Sequence, residues 1–120
     1  MPKAIESYRD LDVWQIAMDI VVETYRVTKA FPPEERFGLT SQVRRAAVSI
    51  ASNIAEGHCR LGAGEYRRFV SIARGSVGEV ETQLAVAVRL EFSAATDFAT
   101  LNAQLGRLSK MLFSLYRRLA

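Results

Sequence analysis

His58 and Cys59 are the single histidine and the single cysteine of the chain, so any nucleophilic, acid–base or soft-metal chemistry has to be built around them. Neighbouring positions do not share a helix face, and neither residue has a second base, thiol or imidazole placed to complete a nucleophile–base pair. Together they supply at most two metal ligands where a structural zinc site takes four. The carboxylates Glu56, Glu65, Glu79 and Glu81 lack the Glu-x-x-His spacing of a di-iron bundle. Gly57, Gly62 and Gly64 lack the lysine and the preceding strand of a phosphate-binding loop. The residue types therefore predict a non-enzymatic protein with no catalytic, cofactor-binding or metal-binding residues.

Arginine is the chemistry that remains. Arg60, Arg67 and Arg68 crowd one end of a central helical hairpin, and Arg117 and Arg118 close the chain. In an antiparallel bundle the end of the last helix lies beside the start of the third, so these five residues merge into one basic patch and are the candidate contacts to RNA or DNA phosphates. Only Tyr66 and Tyr116 are interleaved with them, which gives no base-stacking platform and no sequence-specific readout.

A second set of polar residues runs along the hairpin. Arg45, Ser49, Asn53 and Glu56 recur at helical spacing on one member, as do Arg74, Ser76, Glu79 and Glu81 on the other. A turn centred near residue 61 sets residue x beside about 122 − x. Arg45 then reaches Glu79 or Glu81, Ser49 meets Arg74, and Glu56 meets Arg67. The expectation is a hydrogen-bonded network that fixes register between helices or subunits, since buried polar groups must be satisfied.

Four helices have to position these groups. The first, about residues 11–31, is capped by Asp10, follows an arm over residues 1–9, and repeats Val13, Trp14, Ala17, Ile20, Val21, Thr24, Tyr25 and Thr28. Met18, Val22 and Val27 widen that stripe beyond what a lone bundle buries, so copies are expected to gather. Pro32 and Pro33 end this helix, and Pro33-Glu34-Glu35-Arg36 reads as a single helical turn. The second helix, about 39–56, is rich in alanine and is expected to stop at Gly57. The third, about 65–90, contains Gly75 and Gly78, read as sites of close backbone approach. The fourth, about 97–119, opens at an expected Thr96 cap and carries leucine at alternating four-three steps from Leu101 to Leu119. The predicted architecture is an all-α, up-down-up-down antiparallel four-helix bundle over residues 1–120.

Composition agrees with this class. The 120 residues are 49% apolar and 24% charged, ordinary for one globular domain. Net charge is +3, distributed as −2 over residues 1–37, +1 over 38–97 and +4 over 98–120, so the basic excess sits on the last helix. A lone cysteine fits a reducing compartment, and no apolar run approaches the roughly 20 residues of a membrane span. The expected location is the cytoplasm, away from any membrane.

Longer strings sharpen the reading. Leu39 to Ile50, Ser52 to Gly57 with Arg60, Glu65-Tyr66, Ile72 to Ser76 and Glu79 to Leu84 resemble the four-helix-bundle family named after proteins encoded in intervening sequences of 23S ribosomal RNA genes. Leu11, Trp14, Phe31-Pro32 and Glu35 extend the resemblance over nearly the whole chain. Ala51 stands where that pattern has proline and Val80 where it has leucine. The resemblance implies a bacterial origin and a ring-like homo-oligomer, a pentamer. It also implies kinship with the accessory protein of diversity-generating retroelements, whose partners are a reverse transcriptase and nucleic acid. The expected function is that of a non-enzymatic oligomeric bundle binding RNA or DNA non-specifically, the alternative being a pure protein–protein interaction scaffold.

Overall fold

Periodicity and chain breaks generate the observed elements in the computed structural model, which describes residues 4–120. Helices α1 (Asp12–Thr28), α2 (Leu39–Cys59), α3 (Ala63–Arg89) and α4 (Ala99–Arg118) make up the chain, and no strand occurs among the described residues. Helices α1 and α2, α2 and α3, α3 and α4, and α4 and α1 pack as neighbours, which is the cyclic order of an antiparallel four-helix bundle. No helix among the described residues is long and apolar enough to cross a membrane.

The core follows the predicted stripes. Leu101, Leu105, Leu108 and Leu112 of α4 are fully buried against Ile20, Ile50, Ile54, Val70, Val77 and Leu84. Each such side chain contributes about 1.5–3 kcal/mol relative to exposure. Two threonines of α1 are also buried, and each satisfies its hydroxyl on its own helix: Thr24 Oγ1 donates to the Ile20 carbonyl and Thr28 Oγ1 to the Thr24 carbonyl, both at 2.7 Å.

Helix ends differ from expectation in instructive ways. Asp10 does not cap α1. Its carboxylate accepts the Glu6 and Ser7 backbone N–H groups at 2.9 and 3.2 Å and closes a 3₁₀ turn over Tyr8–Asp10. The end of the expected arm is thereby docked, with Tyr8 edge-on to Trp14, while residues 1–3 of that arm lie outside the described residues. Helix α1 stops at Thr28, three residues before the expected end, and the predicted single turn forms over Pro33–Glu35 with Arg36 as its cap. Glu35 Oε1 accepts the Leu39 N–H at 2.9 Å and so serves the start of α2.

Gly57 does not end α2. The helix continues to Cys59, and a Cβ on Gly57 would lie 2.6 Å from Phe69 Cβ, so this glycine marks where α2 and α3 touch. The residue with left-handed backbone is Gly62, at φ 105° in the three-residue connection. Conversely, a Cβ on Gly75 or Gly78 would meet nothing within 4 Å, and neither is a close approach inside the chain. Helix α3 closes with Glu91 at φ 63° and the Phe92 N–H bonded to the Ala87 carbonyl at 2.9 Å, a Schellman-type ending with glutamate where glycine is usual. Thr96 is not a cap either: a 3₁₀ turn over Ala95–Phe98 precedes α4, and Asp97 accepts the Ala94 N–H at 3.0 Å.

Candidate nucleic-acid interface

The first turns of α3 lie beside the last turns of α4, and arginines join them. Arg67 Nε donates to the Tyr116 carbonyl at 3.1 Å while its guanidinium lies over the Tyr116 ring, 3.7 Å from the centroid. One register step further along, Arg74 Nε donates to the Ser109 carbonyl at 3.2 Å and lies over Phe113, which Arg117 also covers. Phe69 takes Arg60 and Arg68 in the same way, at 5.1 and 4.7 Å. Arg118 is close enough to Tyr66 to oppose the effect of burial, which pushes that phenol above the usual tyrosine range.

All five predicted arginines, Arg60, Arg67, Arg68, Arg117 and Arg118, thus share one end of the bundle, and Arg74 joins them. The sequence reading missed the aromatic part of this surface. Phe69 and Phe113 were not among the expected contacts, yet each carries two guanidiniums. Cation–π contact is attractive by about 0.5–1 kcal/mol at exposed sites and holds the guanidinium without consuming its charge.

Two carboxylates temper the patch. Glu56 pairs with Arg60 and Glu65 with Arg68, each at 2.9 Å, and hydrogen bonding to Arg68 holds the Glu65 carboxyl below its ordinary value. Arg67, Arg74, Arg117 and Arg118 have no carboxylate within 4.0 Å among the described residues.

The expected polar network is smaller and differently registered. Ser49 Oγ and Ser76 Oγ are 3.0 Å apart, and Asn53 Nδ2 donates to Ser49 Oγ at 2.9 Å. Ser49 thus meets a residue about three positions on from the expected one, although the connection over residues 60–62 is centred on residue 61 as expected. Arg45, Glu79 and Glu81 are exposed and outside this cluster, Glu56 turns to Arg60, and Arg74 turns to α4. His58 is half-buried, edge-on to the Tyr66 ring at 5.4 Å, and Cys59 is exposed. No group of three metal-ligating side chains occurs among the described residues.

A second basic surface, not foreseen from the sequence, is a groove between α1 and α2. Arg36, Arg44 and Arg45 line it with Tyr25 and Phe37, in a volume of about 500 Å³. The only hint in the sequence was the adjacency of Arg36 to Phe37 and of Arg44 to Arg45.

An all-helical bundle with a basic, aromatic-backed end defines the class, and the chain belongs to the family of 23S rRNA-intervening sequence proteins, whose profile matches residues 9–114. Among solved structures, a protein of unknown function from the S23 ribosomal protein family of Bacteroides thetaiotaomicron has a similar fold. The TM-score is 0.77 at 20% identity, with 87% of this chain and 97% of that chain covered. No curated protein matches this chain.

Proposed function

We propose that this protein is a non-enzymatic, self-associating helical bundle that binds RNA or DNA without sequence preference through the basic end. The carrying observation is the gathering of five arginines, Arg60 just past α2, Arg67, Arg68 and Arg74 of α3 and Arg117 of α4, on the rings of Phe69, Phe113 and Tyr116, three of them free of carboxylate partners among the described residues. Guanidiniums held by ring stacking and backbone carbonyls are ordered before a ligand arrives, so less side-chain entropy is lost when they meet phosphates. The family's link to intervening sequences of ribosomal RNA makes RNA the first polyanion to try.

Self-association is supported by the outer flank of α1, where Val22 is 67% exposed and Met18 is exposed on the same stripe. The scaffold alternative rests on the two ion pairs, which show that some arginines of this end already serve carboxylates. Titration of an end-labelled RNA of random sequence at low and moderate salt tests the proposal. The expected result is binding at low salt that weakens log-linearly with salt, by roughly 0.7 in slope per phosphate contact of a single strand. Replacing Arg67 and Arg117 by alanine should lower that slope by about one to two. No binding at low salt would leave the scaffold reading.

A further inference from the structure

The α1–α2 groove combines three features that folding alone does not require. First, its guanidiniums are uncompensated: Arg36, Arg44 and Arg45 have no carboxylate within 4.0 Å among the described residues, and no acidic residue lines the groove. Second, one of them is built in. Arg44 Nε donates to Thr28 Oγ1 at 2.8 Å, a terminal nitrogen reaches the Tyr25 carbonyl at 3.4 Å, and the guanidinium lies over the Tyr25 ring at 4.5 Å. Third, Phe37 is 84% exposed, with its ring against Arg36 and outside the hydrophobic core.

Fixed positive charge beside a largely exposed aromatic ring is the pairing that single-stranded nucleic acids use, phosphates along the cations and a base on the ring. The groove volume falls in the range of small-ligand sites, about 300–1,000 Å³, so it has room on the order of a nucleotide. We propose that this groove is a second nucleic-acid site, distinct from the basic end and selective for single strands, with Arg44 and Arg45 taking phosphate and Phe37 stacking a base. It rests on the nucleic-acid reading above and adds strand selectivity to it. Arg45 of α2 and Arg60, the residue that follows the helix, are fifteen positions apart, about 22 Å along its axis, so one strand can engage both sites.

The test is anisotropy of an end-labelled oligothymidylate and of a duplex of equal length, titrated with the parent, with the double variant Phe37→Ala/Arg45→Ala, and with Arg67→Ala/Arg117→Ala. Phe37 and Arg45 are exposed and make no core contact, so the groove variant is expected to fold. The expected result is a loss of about fivefold or more for the single strand in the groove variant with the duplex unchanged, while the end variant weakens both. Phe37→Trp should keep affinity and show indole fluorescence quenched by the bound strand. Single-strand affinity unchanged in the groove variant while the end variant loses binding overturns the groove site and leaves the basic end standing. A parent that binds neither probe at low salt removes both. A groove variant whose solution mass falls instead marks this face as a contact between copies and overturns the proposal, as does polyglutamate displacing the strand as well as a competing oligothymidylate does.

Discussion

Tyr66 reports on the basic end because two opposed effects meet on its phenol. Burial disfavours the phenolate and raises the pKa above the ordinary value, and the Arg118 charge pulls it back down. A raised native pKa on an acid means that the neutral form is favoured by the fold. The associated stability is therefore complete below the ordinary tyrosine value near 10 and is lost as pH rises through the native pKa. Absorbance titration of the four tyrosines should show a late step that Tyr66→Phe removes. Arg118→Ala should move that step still later; a step unmoved by that change would separate Arg118 from Tyr66. The grouping of arginines was legible in the sequence because bundle topology alone sets the end of α4 beside the start of α3. Their seating was not. Periodicity marks Phe69 and Phe113 as apolar without saying that a guanidinium one or four residues away would lie on the ring, as those of Arg68 and Arg117 do.

Glycines make the same point for whole helices. A glycine in a helical sequence reads as a stop or as a close approach, and only the neighbouring helix decides which. At Gly57 the neighbour is Phe69, with the Tyr66 carbonyl 3.3 Å from an added Cβ, so Gly57→Ala must separate α2 from α3. Overpacking of this kind costs typically about 1–3 kcal/mol. At Gly75 the space is open, and Gly75→Ala should stabilise the bundle by up to about 1 kcal/mol through helix propensity. Denaturant melts of the two variants check both signs at once. If Gly75→Ala destabilises instead, the open face of α3 is covered by another chain. Four helices, their order and most of their buried stripes could be read from the three-four spacing and the prolines. Their ends could not, because Glu35, Asp97 and Asp10 each accept backbone N–H groups outside the expected cap position, and Glu91 adopts a conformation that its side chain does not favour. Ser49 meets Ser76 rather than Arg74 even though the connection is centred on residue 61 as expected, so the turn position alone does not fix the side-chain partners along the pair.

Charge and exposed surface have to be weighed over the whole molecule. At +3 per chain, one copy attracts a polyanion only weakly at physiological salt, where the screening length is about 8 Å. If copies associate as proposed, they repeat the basic end, and each further contact to the same strand then occurs at high effective concentration. The surface available for gathering copies is the outer stripe of α1, since its inner stripe of Val13, Ala17, Ile20, Thr24 and Val27 is spent on the core. Met18 and Val22 lie on the opposite side and are exposed. A charge placed there should block association without touching the core, so Val22→Glu is expected to reduce the mass seen by light scattering from a multiple of 13.4 kDa to that value. Melting of the dispersed chain should stay cooperative. If copies multiply the basic end, the same variant should lose about tenfold or more in affinity for a long single strand and little for one too short to bridge two ends. A parent protein already at 13.4 kDa in solution would remove association from the proposal and leave the arginines of one bundle end to act alone.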